Sequence, residues 1–401
     1  MNVILFLGAG VSLASGLPTA DGLTKLILGT SYHQEGNRRF VRTSPTNTPS
    51  SQDDHTPRIR KILKLLQAHD THDIRRACYY KENGQFKSSG AIFRSQSTYE
   101  DLFFLCQQMK LWNIGLVDNS LITPFMECIQ AKARDVLAGR SVKARVYDLG
   151  LLADLACNYI ETIAADSLRA NKAVELDLIL QLALSPDIKH LDIATLNHDT
   201  LAEQVLTEAG VQFVNGFGRP DGDVRWFDDR LFDTNPTKVR ILKLHGSVDW
   251  YLLLAHDGAR PAMVAQADIT QLRDASSHAV VPALHGPSFL SGLSKFVSYQ
   301  RGIYADIHFR FHEALRRSDR MIMSGYGWGD TAINFQLEQW LDQRSSTTLT
   351  LLHKTPDKLT DNSLILATGY DCWVRSGRLV PIQKWMSEVS VAELQHSLAF
   401  P

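Results

Sequence analysis

The chain has 401 residues, with 42 Lys+Arg against 43 Asp+Glu and a formal net charge of −1, so no global field draws it to nucleic acid or to an anionic membrane. Its length exceeds that of an ordinary single domain and predicts either two domains or one large domain carrying an insertion. The 5 cysteines, Cys78, Cys106, Cys128, Cys157 and Cys372, are scattered without a C-x-x-C pair or a Cys/His cluster at ligand spacing, which predicts a reduced, cytoplasmic protein with no metal.

Taken in chain order, Asn2 to Leu7 reads as a buried strand. The apolar run from Val3 to Leu7 has no basic region before it and no small-residue cleavage site after it, so it is not a signal peptide. A tight glycine turn follows, then a helix from about Ala20 to Leu28. Thr43 to Pro57, rich in Pro, Ser, Thr and Asn, predicts an exposed loop. From Arg58 to about Ser185 the signal is almost wholly helical, with apolar residues three and four apart in Ile59 to Leu66, Leu102 to Trp112, Leu121 to Leu137 and Val146 to Ile163. Ser97 and Thr98, ahead of Glu100 and Asp101, are N-cap candidates for one of these helices.

Alternation of strands and helices then resumes. Strands are predicted at His190 to Leu196, Val239 to Leu244, Arg320 to Ser324 and Thr348 to His353, and helices at Leu201 to Ala209, Thr331 to Leu341 and Val391 to Leu398. This pattern predicts an α/β, Rossmann-like fold with a mostly parallel sheet, helices on both faces and a large helical insertion. The boundaries are 1–32 and 188–401 for the Rossmann-like domain and 33–187 for the insertion. No stretch approaches the roughly 20 apolar residues needed to span a bilayer.

Chemistry first surfaces in the glycine turn. A strand ending in Gly8-Ala9-Gly10 can turn sharply and approach a pyrophosphate without Cβ interference, with amide N–H groups pointing at the phosphate oxygens. The dinucleotide fingerprint of dehydrogenases expects a third glycine at position 13, where Leu13 stands; the next glycine is Gly16. Hydride transfer is therefore not the leading reading. Two further features stand at strand ends. Asn197 is a short amide at the end of a predicted parallel strand, where such sheets collect ligand contacts. His245 follows another strand and precedes a glycine, and an imidazole with a pKa near 6.5 suits a general base.

The longer string Gly8-Ala9-Gly10-Val11-Ser12, continued by Ser15-Gly16-Leu17-Pro18-Thr19, resembles the first motif of the sirtuin superfamily. Three further segments resemble its later motifs in the same order: Thr195-Leu196-Asn197-His198-Asp199, Lys243-Leu244-His245-Gly246-Ser247 and Ser324-Gly325-Tyr326-Gly327-Trp328-Gly329-Asp330. The resemblance covers residues 1 to about 32 and 188 to about 355. It implies NAD+ as substrate, bound by Gly8, Ala9, Gly10, Val11, Ser12, Gly16, Pro18, Thr19, Thr195, Gly325, Tyr326, Gly327 and Asp330. It also implies Asn197, Asp199 and His245 as catalytic residues. Each motif has a plainer structural use as well, Asp199 and Asp330 as helix caps above all.

The sequence departs from protein-deacylating sirtuins in two places. Thr19-Ala20-Asp21 stands where they carry Asp-Phe-Arg, and their four-cysteine zinc ribbon after the L-H-G motif is missing. Deacylation is therefore not expected. What remains implies hydrolysis of NAD+ to nicotinamide and ADP-ribose by a sirtuin-like protein of bacterial anti-phage defence, acting by NAD depletion. The same resemblance implies a homo-oligomer and a separate partner chain, a HerA-type ATPase or an Argonaute-like protein. Two alternatives stay open. One is a non-catalytic subunit sensing NAD or ADP-ribose; the other is a nuclease or nucleic-acid-binding subunit, suggested by the basic runs Arg38-Arg39, Arg58 to Lys61 and Arg316-Arg317.

Overall fold

The computed structural model describes the chain apart from residues 30, 36–39, 45–54, 71–72, 83–84, 95–96, 117–121, 138–141, 170–171, 256–257, 265–271, 277, 283–286, 289–298 and 399–401. It divides into two compact units, one formed by Met1–Thr19, Leu168–Leu290 and Phe296–Pro401, the other by Ala20–Ser167 and Ser291–Lys295.

The first unit is built on a 7-stranded sheet in the order Leu379–Ile382, Thr348–Leu352, Arg320–Ser324, Asn2–Leu7, His190–Thr195, Val239–Lys243, Phe213–Val214. Every pairing is parallel. Its central strands are buried on both faces, which is why they read as continuous apolar runs instead of alternating ones. The period of two sorts their side chains. Ile4, Phe6, Leu242, Met321 and Met323 pack with Ile307 and Phe311 of the helix Gly302–Arg317 and with Leu337 and Trp340 of the helix Thr331–Gln343. Val3, Leu5, Ile193, Ile241 and Ile322 face the other way and pack with Ile179 and Leu182 of Asp177–Leu184 and Leu206 of Leu201–Glu208. The predicted Rossmann-like sheet covered on both faces is present.

Connectivity decides where a site can lie. The chain enters at the central strand Asn2–Leu7, adds His190–Thr195 and Val239–Lys243 on one side, then crosses to add Arg320–Ser324 on the other. The connections thus diverge about Asn2–Leu7, and the crevice at the carboxyl ends of these strands is where open parallel sheets bind ligands.

Several elements were not legible in the sequence. The strands Leu379–Ile382 and Phe213–Val214 and the helices Gly302–Arg317 and Leu364–Arg375 join the first unit. Beside the main sheet lies a 5-stranded antiparallel sheet in the order Leu272–Arg273, Ala279–Pro282, Trp250–Ala255, Gly258–Val264, Val224–Trp226. Most of its strands follow the L-H-G motif, where deacylating sirtuins are expected to carry a zinc ribbon, and it is held instead by an apolar cluster including Tyr251, Leu253, Ala262 and Val264.

The second unit is mainly helical: Ala20–Leu28, His55–Asp70, Tyr99–Asn113, Ile122–Lys132 and Val142–Ser167. The capping signal at Thr98 is realised, with Asp101 accepting from the Thr98 backbone N–H at 2.7 Å. The almost wholly helical expectation for Arg58 to Ser185 needs correction in one place. An antiparallel hairpin, Asp73–Glu82 with Gln85–Arg94, interrupts it, its strands rich in residues such as Tyr79, Tyr80, Ile92 and Phe93 that favour extended backbone. The helix before it begins at His55, inside the expected loop, of which residues 45–54 lie outside the described ones. Because Ala20–Leu28 packs on the helices of this unit and Asp177–Leu184 packs on the sheet, the division by contacts falls at 19/20 and 167/168, whereas the sequence pattern changes at 32/33 and 187/188. Among the described residues no helix is long and apolar enough to cross a membrane.

Candidate functional site

Four neighbouring strands, Arg320–Ser324, Asn2–Leu7, His190–Thr195 and Val239–Lys243, each run directly into one of the four motifs. Segments far apart in sequence are therefore gathered at one end of the sheet by strand register alone, with Leu7 opposite Ser324 and Thr195, and Thr195 opposite Lys243.

The first glycine turn forms one 3₁₀ turn, Ala9–Ser12. A Cβ at Gly8 would lie 2.5 Å from Tyr326 Cα, and one at Gly10 would lie 2.8 Å from Gly325 Cα. Gly325 has φ +69°, and a Cβ there would lie 2.5 Å from the Val11 nitrogen. The Gly8 N–H donates to the Ser324 carbonyl at 3.0 Å, the Gly10 N–H to the Gly325 carbonyl at 2.9 Å, and the Val11 N–H to the Gly8 carbonyl at 3.2 Å. These glycines make room for a second loop of the protein, where the sequence alone suggests room for a pyrophosphate, and these three amides are engaged inside the fold. Gly16, at φ +81° with open space around it, serves the turn that follows. Pro18 is half-buried and Thr19 exposed beyond that turn, and Ala9 is exposed at the turn itself.

Beside this turn stands a buried polar group. The Asn197 Nδ2 donates to the Gly8 carbonyl at 3.1 Å and to Ser12 Oγ at 3.0 Å, while Ser12 Oγ donates to Asp199 Oδ2 at 2.7 Å. The Thr195 hydroxyl accepts from the Asn197 backbone N–H at 3.0 Å and shapes the strand end. Asn197 Oδ1 is buried and meets no hydrogen-bond donor. An orphaned buried acceptor costs about 1–3 kcal/mol and calls for an explanation such as a bound ligand. Asn197 and Asp199 line a small pocket with Ser12, Glu203 and the apolar Leu176 and Ile179. The N-cap position of the following helix is held by Thr200 and not, as its sequence position suggests, by Asp199, whose Oδ1 accepts from the Leu201 N–H at 3.1 Å in the turn leading into that helix.

Two residues the sequence did not single out complete this side. Lys243 is 1 % exposed; its ammonium donates to the Asp199 carbonyl and lies 3.4 Å from Glu203. Burial raises the Glu203 carboxyl above its usual range, with the Lys243 charge opposing that shift. Lys243 was hidden in plain sight, adjacent to the L-H-G motif, because a lysine in a strand ordinarily faces solvent.

The second polar group belongs to the other two motifs. His245 Nε2 lies 2.7 Å from the Tyr299 hydroxyl and 3.1 Å from Asp330 Oδ2, and the Tyr299 hydroxyl donates to the same Oδ2 at 2.9 Å. His245 and Tyr299 are each 4 % exposed, and Asp330 is partly buried. His308 stacks on Tyr299 with ring centroids 3.8 Å apart and contacts the Leu244 carbonyl through Nε2. Burial, followed by the neighbouring His245, pulls the His308 imidazole down to about 4. The ring of His198 lies 6.2 Å from that of His245. Tyr299 carries no sequence signal, being outside any motif. The late glycine loop mainly positions this group: Tyr326 is turned into the core against Phe6, its hydroxyl reaching Asn334 at 2.7 Å, and Gly327 is exposed with its carbonyl accepting from Asn362. Trp328 holds φ +60°, a strained conformation for a bulky side chain, fixed by Asn334 donating to its carbonyl at 2.8 Å.

The parallel sheet covered on both faces defines a doubly wound, Rossmann-like α/β protein, with strand-end polar groups and a small pocket at the switch point. A family model described as the SIR2-like domain matches residues 192–371, a span that holds the last three of the four motifs. No curated protein matches the chain. Solved structures similar to it include a Sir2 homologue mutant in complex with ADP-ribose, at 12 % identity over 99 % of this chain and 92 % of that one with a TM-score of 0.32. Another is a Sir2 homologue in complex with NAD, at 12 % identity over 99 % and 89 % of the two chains, also with a TM-score of 0.32.

Proposed function

We propose that this chain is a sirtuin-like NAD+ hydrolase that cleaves the nicotinamide ribosyl bond at the crevice beside Asn197, yielding nicotinamide and ADP-ribose. The observation that carries the reading is the buried Asn197 Oδ1 without a donor, in a residue that lines a small pocket together with Asp199 at a parallel-sheet switch point. Nicotinamide leaves as a neutral molecule from a cationic ring, so the protein chiefly has to stabilise an oxocarbenium-like ribosyl group and supply water. Asn197 Oδ1 accepts from a ribose hydroxyl or the attacking water. Asp199, held by Ser12 and the Leu201 N–H, supplies negative charge to the developing cation. His245 removes the proton. The SIR2-like match over residues 192–371 supports this assignment, since Asn197, Asp199 and His245 all fall inside it.

The proposal extends to an effector of anti-phage defence that depletes NAD, assembled as a homo-oligomer and regulated by a separate HerA-type ATPase or Argonaute-like chain. Purified protein is incubated with NAD+, alone and with each such partner, and nicotinamide is quantified. Turnover in any of these assemblies supports the reading. Binding of NAD+ without turnover in all of them contradicts it and favours a sensing subunit.

A further inference from the structure

We infer that Asp330 and Tyr299 are positioning residues that fix the tautomer of His245, placing its proton on Nε2 and leaving Nδ1 as the basic nitrogen. Three short contacts meet at one point: Nε2 to the Tyr299 hydroxyl at 2.7 Å, Nε2 to Asp330 Oδ2 at 3.1 Å, and the Tyr299 hydroxyl to that same Oδ2 at 2.9 Å. An ionised carboxylate only accepts. The Tyr299 proton is committed to Asp330, so the Tyr299 oxygen presents lone pairs to Nε2, as does Oδ2. A proton on Nε2 satisfies both; a lone pair there would face two acceptors inside a buried cluster, which is costly. The neutral ring therefore carries Nε2–H, and its lone pair is on Nδ1.

Asp330 can hold this position because its other oxygen is anchored. Oδ1 accepts from the Ile333 N–H at 3.1 Å as the N-cap of Thr331–Gln343, so one carboxylate starts the helix and orients the ring. Among the described residues, the imidazoles of His198, its ring 6.2 Å away, and of His308, behind Tyr299, also face this group. Burial holds the His308 imidazole down to about 4, and the Asp330 carboxylate lies 3.1 Å from Nε2. This inference rests on the assignment of His245 as the base only for its catalytic meaning. The tautomer itself is a property of the ligand-free protein.

Protein labelled with nitrogen-15 histidine, its His245 signals assigned by loss in His245→Gln, reads the tautomer and the titration midpoint directly. The expected result is Nε2–H in the neutral ring, with a midpoint that falls by about one pH unit or more in Asp330→Asn. Asparagine keeps the N-cap acceptor and so keeps the helix. Tyr299→Phe is expected to retain Nε2–H through Asp330 alone and to shift the midpoint less than Asp330→Asn. A neutral Nδ1–H ring in the wild type, or an Asp330→Asn midpoint equal to that of the wild type, overturns the inference. Neither readout depends on NAD+ turnover, so failure of the hydrolase reading and failure of this one are distinguishable.

Discussion

Around Asn197 the amide nitrogen is satisfied twice and the oxygen not at all, whereas around His245 one ring nitrogen meets two oxygens of residues that also bond each other. The two groups stand at the ends of adjacent strands, yet one is left open and the other is closed on itself. An acceptor without a donor, in a residue that lines a pocket, suits receiving a ligand; a closed cluster suits holding a ring in one orientation. The glycine loops fall on the same divide, since Gly8, Gly10 and Gly325 are spent on packing loop against loop, whereas a Cβ at Gly327 would meet nothing within 4 Å.

Removing the open acceptor breaks the comparison most sharply. Asn197→Ala should lower nicotinamide release by about 10²–10³-fold, as for loss of one preorganised polar group in a transition state, with NAD+ binding measured alongside by calorimetry. His245→Ala should lower it by about 10²-fold or more, the range of a lost general base, and the far-ultraviolet circular dichroism should stay that of the wild type. Equal activity in either variant would mean the two groups have been assigned the wrong work.

The packing role of the glycines gives the next effect. Gly325→Ala puts a Cβ 2.5 Å from the Val11 nitrogen at a positive φ, and should cost about 2–4 kcal/mol in urea unfolding. Gly327→Ala, with nothing within 4 Å, should stay within about 0.5 kcal/mol of the wild type. If Gly327→Ala nevertheless weakens NAD+ binding, the exposed end of this loop touches ligand.

The smallest effect is in the closed cluster. The folded-state pKa of His308 lies below the ordinary imidazole value of 6.5, at about 4, so the stability it contributes is full above 6.5 and is lost as the pH falls through 4. Thermal unfolding should therefore shift to lower temperature across that window, and His308→Gln should flatten this part of the profile.

Much of the sheet was legible because its central strands are buried on both faces and bounded by glycine turns or polar caps, so Asn2–Leu7 and Arg320–Ser324 fall where the apolar runs predict them. The four motifs were legible for the same reason: each directly follows such a strand. Gly302–Arg317 was harder, because its apolar stripe of Ile303, Ile307, Phe311 and Ala314 is interleaved with His308, Arg310 and His312. In the 5-stranded sheet, Leu272–Arg273 and Val224–Trp226 are only two and three residues long, and Trp250–Ala255 is apolar at successive positions without alternation in sequence. Tyr299 was invisible, since its role arises from a contact with Asp330 across 31 positions and from no local pattern. Sequence also could not show that the amides of Gly8 and Gly10 are taken by Ser324 and Gly325, which only the strand register brings within reach.

Whether the acceptor of Asn197 serves cleavage of NAD+ is decided by comparing wild type and Asn197→Ala, matched for oligomeric state, in one assay that counts nicotinamide and ADP-ribose from the same NAD+ solution. The wild type should release equimolar nicotinamide and ADP-ribose, and the variant almost none. Equal product from both proteins, or none from a wild type that binds NAD+ in every assembly tried, would contradict that role.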